Sequence, residues 1–122
     1  MGLIVVLLFF ACLSPANAVG GRVAYYHDFR VQRMTGIPEG HIASYACEYE
    51  IDPARVEALV GRGSPALASE YEWRNVRALF HLAYDKLMFV DAAGAARLGS
   101  KYLRFDKSDV AGVFSRARPK RC

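Results

Sequence analysis

Several signatures of catalysis and metal binding are absent from this sequence. Three cysteines in 122 residues are too few for a disulfide-dense miniprotein or a cysteine-rich zinc module. The histidines, His27, His41 and His81, form neither an H-x-x-x-H nor an H-E-x-x-H pattern, and no serine lies in a G-x-S-x-G motif. We therefore expect no metal, no cofactor and no catalytic activity. A hydrolase that uses His81 or His27 in an unfamiliar arrangement is the weaker alternative.

The charges are unevenly distributed along the chain. Hydrophobic residues make up 53% and charged residues 23% of the sequence, a composition that excludes a disordered protein and, at this length, favours one domain. The formal charge of +4 equals the sum of Arg116, Arg118, Lys120 and Arg121, because residues 19–115 contain 12 basic and 12 acidic side chains. The sequence thus predicts a neutral folded body followed by a basic tail, residues 116–122.

The N-terminus has the layout of a secretory signal. Eleven apolar residues from Leu3 to Leu13 precede Ser14-Pro15 and Ala16-Asn17-Ala18. An apolar run, a helix breaker and an A-x-A site together predict that residues 1–18 are cleaved on export. The run is shorter than the about 20 residues that cross a bilayer. It also lacks a preceding Lys or Arg. We expect an exported protein, periplasmic or secreted.

Cys12 supports a second interpretation of the same segment. The run Phe9-Phe10-Ala11-Cys12 loosely resembles the lipobox of bacterial lipoproteins, in which the cysteine carries a lipid. A lipid at Cys12 would anchor the domain without changing its fold. Membrane contact is therefore expected only through the signal segment or through this lipid.

Signal cleavage leaves Cys47 and Cys122 as a pair. In an oxidising compartment two cysteines favour a disulfide, which here would tie the last residue to the body. The bond would close a 75-residue loop, worth about 4 kcal/mol in the chain-entropy model. An intermolecular bond through Cys122 and a free terminal thiol are the alternatives.

The pattern of apolar residues predicts a small α+β domain over residues 19–115. A first strand is expected over residues 23–31. The apolar spacing of Ile42, Tyr45, Ala46 and Tyr49 predicts one helix, and Asp52-Pro53 begins a second that ends at Gly61. Strands are predicted over residues 76–84, 87–90, 95–98 and 102–105, and a helix after Asp106. This order indicates a helical pair, a three- to four-stranded antiparallel meander and a C-terminal helix.

Candidate partner contacts lie in two segments. In Ser69–Arg74 the residues alternate, so an extended chain would place Tyr71 and Trp73 on one side and Glu70 and Glu72 on the other. Aromatic residues beside charges are typical of protein interfaces. The alternative, which we favour from sequence, is that Trp73 covers the core from a strand end. The second segment is the basic tail, with Arg116, Arg118, Lys120 and Arg121.

Small size, an export signal, one disulfide and no catalytic motif characterise the chain. In these respects it resembles, in outline, small periplasmic inhibitor and immunity-type proteins. The resemblance implies a non-catalytic domain that binds another protein. The alternative is an envelope structural or accessory protein whose basic tail contacts an anionic surface. Export argues against a nucleic-acid partner.

Overall fold

The computed structural model describes residues 22–33 and 35–122, and in these residues eight strands form one antiparallel sheet. The spatial order of the strands is β3-β7-β6-β5-β4-β1-β2-β8. In chain order they are β1 (Arg22–Tyr26), β2 (Cys47–Ile51), β3 (Ser64–Pro65), β4 (Val76–His81), β5 (Leu87–Asp91), β6 (Ala95–Leu98), β7 (Lys101–Arg104) and β8 (Arg118–Arg121). The predicted signal segment, residues 1–18, and Cys12 lie outside the described residues.

Helices connect the strands at three places in the described part of the chain. They are α1 (Ile42–Tyr45), α2 (Pro53–Gly61) and α3 (Lys107–Ser115), accompanied by 3₁₀ turns at Glu39–His41, Ala68–Glu70 and Ala83–Asp85. The start of α2 follows from local chemistry, because the Asp52 carboxylate accepts a 3.0 Å hydrogen bond from the Ala54 amide and Pro53 takes the first helical position. Within residues 22–33 and 35–122 no helix is long and apolar enough to cross a membrane.

The sheet carries a hydrophobic cluster on each face. On one face, α2 and α3 bury residues such as Val56, Leu59 and Val110 against the sheet. The second cluster consists of Ile37, Ile42, Val76, Leu79 and Phe89. Strand β4 contributes to both clusters because its side chains alternate between the two faces from Ala78 onward, after a register shift between Val76 and Ala78.

The α+β class and the antiparallel pairing of the sheet are confirmed, whereas the predicted meander of three to four strands is only part of an eight-stranded sheet. Strands β4 to β7 occur where four strands were predicted, with ends that differ by at most a few residues. The C-terminal helix follows Asp106 and buries Val110, Val113 and Phe114, as its spacing predicted.

The predicted helical pair is partly wrong. The first helix is reduced to the four residues of α1, and residues 47–51 form β2 instead. The reason is pairing with β1, which runs in register from Arg22 opposite Ile51 to Tyr26 opposite Cys47. Strand β1 itself is shorter than expected, because the Asp28 carboxylate accepts the Arg30 amide at 2.9 Å and turns the chain.

Part of the basic tail is an ordered strand rather than a segment surrounded by solvent. Residues Arg118–Arg121 form the exposed edge strand β8, which pairs with β2. The predicted Cys47–Cys122 disulfide is present in the structure and fixes the end of this strand. The sheet accordingly contains eight strands rather than the predicted three to four.

Candidate binding surface around Trp73

The segment before Trp73 is a turn of 3₁₀ helix rather than an extended strand. Its carboxylate Glu70 accepts a 2.7 Å hydrogen bond from the Leu67 amide, three residues earlier. The same carboxylate accepts a 3.0 Å hydrogen bond from Arg104 on β7. The hydrogen bond from the Leu67 amide lowers the pKa of Glu70, and the hydrogen bond from Arg104 lowers it further. Glu70 therefore holds the turn together, and residues 68–70 do not have the extended conformation on which the predicted alternation depended.

Tyr71 is anchored in the second hydrophobic cluster. Its hydroxyl donates a 2.6 Å hydrogen bond to Glu39, and Arg97 donates to the other oxygen of that carboxylate at 2.9 Å. Burial raises the pKa of Tyr71 well above its ordinary value, and the hydrogen bond to Glu39 raises it further. The Arg97 guanidinium also lies 5.2 Å from the centre of the Phe89 ring. Tyr71 is consequently a fixed, neutral phenol that positions the next residues.

Asp91 fixes the backbone on the other side of the loop. This carboxylate is 1% exposed and accepts hydrogen bonds from three backbone amides, Glu72, Ala93 and Ala95, each at 2.9 Å. The first of these bonds joins the Trp73 loop to the turn between β5 and β6. Buried carboxylates are stable when their oxygens are satisfied in this way.

Trp73 lies at the surface of this braced loop. The side chain is 54% exposed, so the prediction that it covers the core is wrong. Its backbone carbonyl accepts a 2.8 Å hydrogen bond from the Glu39 amide. The Arg74 guanidinium lies 5.9 Å from the indole centre and makes two hydrogen bonds to Glu72, at 2.8 and 2.9 Å. These bonds lower the pKa of Glu72 to about 2.

The four candidates in this segment thus have different positions. Glu70, Tyr71 and Glu72 are engaged by other parts of the chain, whereas the Trp73 ring is presented to solvent. Trp73 is thus a large, exposed apolar side chain on a loop that hydrogen bonds hold on both sides.

The cations of the C-terminus do not form one uniform patch. On β8, Lys120 and Arg121 lie 3.8 and 3.0 Å from Glu48, and Arg118 lies 3.9 Å from Glu50. The carboxylates of β2 therefore balance part of the charge of β8. Arg116 is separate from β8, beside α2 and α3.

The histidines have structural surroundings. His27 lies between two guanidiniums, with Arg77 3.2 Å from its Nδ1 and Arg33 3.4 Å from its Nε2. Burial and the charge of Arg77 lower the pKa of His27. His81 has its Nδ1 2.8 Å from the Val23 carbonyl. Across the described ranges, no group of three or more His, Cys, Asp or Glu could hold a metal ion.

Sequence reasoning missed the residues that brace the loop. Asp91 was not among the predicted contact residues, and its burial was not foreseen. Glu39 and Arg97 are 58 residues apart, so no local pattern could have linked them. Their pairing depends on the sheet order.

Comparison of the chain with protein-family models, curated proteins and solved structures finds no match. The features of the chain that bear on its function are therefore the geometry of the Trp73 loop and the charges around it. The relevant observations are the exposure of the indole, the bonds that fix its loop and the paired ions beside it.

Proposed function

We propose that this chain is a small exported, non-catalytic protein-binding domain, and that Trp73 is the centre of its contact surface. The observation that carries the proposal is the 54% exposure of the indole on a loop fixed by Glu39 and Asp91. The Cys47–Cys122 disulfide supports an oxidising compartment. An inhibitor or immunity-type role is the more specific form of the proposal.

A fixed, exposed tryptophan is an efficient binding residue. Tryptophan is enriched among the residues that dominate interface energies, because one ring removes a large apolar area from water. A loop that is already ordered loses less conformational entropy on binding. The hydrogen bonds to the backbone of Glu72 and Trp73 provide this order before any partner arrives.

The charged residues around the indole are suited to form the polar rim of an interface. Arg74 is paired with Glu72, and Arg104 is paired with Glu70. Both pairs are partly exposed, so they contribute little to stability but favour a partner with complementary charges. The alternative, an accessory protein that contacts an anionic surface through its tail, is supported less well because β8 lies beside Glu48 and Glu50.

The proposal is tested by comparing two exposed apolar side chains. Oxidised protein is immobilised and incubated with native extract, in parallel with Trp73→Ala and Leu67→Ala; Leu67 is 69% exposed. We expect a protein that is retained by the wild type and by Leu67→Ala but lost with Trp73→Ala. Equal retention by all three would exclude Trp73 as the contact.

A further inference from the structure

A second surface, remote in sequence from Trp73, lies where α2 packs beside α3. The two helices bury Leu59 and Val110 in the same cluster. Above this contact is an open groove of about 350 Å³, whose lining includes three arginines, Arg55, Arg62 and Arg116. A volume of this size suits a small ligand rather than a protein segment.

The charge of the groove is not balanced by the protein. Arg62 lies 3.5 Å from Asp109, the one carboxylate in the lining. Among residues 22–33 and 35–122, Arg55 and Arg116 have no carboxylate within 4.0 Å, and residues 1–21 and Met34 contain no acidic side chain. Three guanidiniums and one carboxylate leave a net charge of +2.

The lining places these cations around an open floor. Arg55 lies on α2 and Arg62 directly follows its C-terminal end, seven residues or two helical turns later, so both lie on the same side of the helix. The floor contains Ala58 from α2 and Gly112 from α3, and a Cβ added to Gly112 would meet nothing within 4 Å. Small residues on both helices therefore leave room between the guanidiniums.

We propose that this groove binds a phosphate group, in a small ester or a lipid headgroup. A phosphate dianion would neutralise the net +2, and its oxygens match the fork of guanidinium donors. The Ser108 hydroxyl, which also lines the groove, adds a neutral donor. This inference is independent of the role of Trp73, since the two surfaces share no residue.

Inorganic phosphate is the first probe. It is titrated into ¹⁵N-labelled oxidised protein, with sodium chloride adjusted to constant ionic strength, and the amide of Gly112 is followed by NMR. We expect a saturable shift that Arg55→Gln and Arg116→Gln each weaken about tenfold or more, since each removes a charge-assisted contact. Arg118→Gln removes the same charge from β8 and should leave the affinity unchanged. No saturable shift at Gly112, or equal weakening by all three variants, would overturn the proposal.

Asp109→Asn provides a test in the opposite direction. The variant frees Arg62 from its ion pair, so we expect several-fold tighter phosphate binding. Asp85→Asn, at an exposed site in the turn between β4 and β5, raises the net charge equally and serves as the control. An equal gain in both variants would show a general charge effect and contradict a site in the groove.

Vesicles separate the two sources of the phosphate. Phosphatidic acid vesicles, whose headgroup is a phosphate monoester, support the site with a lipid headgroup as ligand if they retain the wild type and Arg118→Gln but not Arg55→Gln. Absence of retention beside saturable phosphate binding supports it with a soluble ester. Retention that Arg118→Gln alone abolishes would contradict the groove and assign anion binding to β8.

Discussion

The phenol of Tyr71 donates a 2.6 Å hydrogen bond to Glu39, a residue 32 positions earlier in the chain. Arg97 binds the same carboxylate from β6, so three distant segments meet at one acidic side chain. The Glu39 amide in turn binds the Trp73 carbonyl. The loop that carries the exposed indole is therefore held by Glu39. The side chain of Glu39 is in turn bound by Tyr71, which packs against the second hydrophobic cluster.

Removing the Tyr71 hydroxyl should loosen this network without opening a cavity. We expect Tyr71→Phe to lower the free energy of unfolding by about 1.5–3 kcal/mol, because the lost hydrogen bond is to a charged acceptor. The measurement is urea unfolding, with Tyr45→Phe as the control, since Tyr45 is 58% exposed. Equal stability of the two variants would contradict a structural role for the Tyr71–Glu39 bond.

Asp91 should be the most costly carboxylate to remove in this region. Asp91→Ala leaves three amides without their acceptor, so we expect a loss of about 3 kcal/mol or more. Asp52→Ala is the comparison, because Asp52 accepts one amide at the start of α2 and a lost N-cap costs about 1 kcal/mol. A loss for Asp91→Ala no greater than that for Asp52→Ala would contradict the bracing of the Trp73 loop.

The pairing of Glu72 with Arg74 can be read from its titration. Because Arg74 holds the pKa of Glu72 at about 2, Glu72 should stay ionised well below the ordinary range. A lowered carboxyl pKa favours the folded state above the unfolded value near 4.5, and this contribution disappears as the pH falls toward 2. NMR of the Glu72 carboxyl carbon should show this pKa, and Arg74→Gln should raise it toward 4.5. An unchanged value in Arg74→Gln would show that another group controls it.

The success of the sequence interpretation depended on how local each signal was. The helix after Asp106 and the strands from β4 to β7 follow from residues close in sequence. The apolar spacing from Ile42 to Tyr49 predicted a helix, whereas pairing with β1 makes residues 47–51 a strand. Trp73 was expected to cover the core, whereas it is exposed. Its exposure depends on bonds from Glu39 and Asp91, which the sequence did not reveal.

The disulfide should matter most for β8. Cys122→Ser removes a bond that closes a 75-residue loop, and the chain-entropy model gives a cost of about 4 kcal/mol. We expect faster amide exchange at Arg118, Lys120 and Arg121, because these residues of β8 are exposed at the sheet edge. Arg118→Gln, with the disulfide intact, is the control for the loss of an ion pair. Unchanged protection of β8 in Cys122→Ser would show that ladder bonds alone hold the strand.

Trp73 is the single tryptophan of the sequence, so acrylamide quenching of intrinsic fluorescence reports on it alone. The measurement compares free oxidised protein with its complex with the protein retained in the capture experiment. The account predicts strong quenching of the free indole and protection in the complex, with Leu67→Ala behaving like the wild type. An indole shielded in the free protein, or quenched equally in the complex, would contradict the placement of Trp73 at the centre of the binding surface.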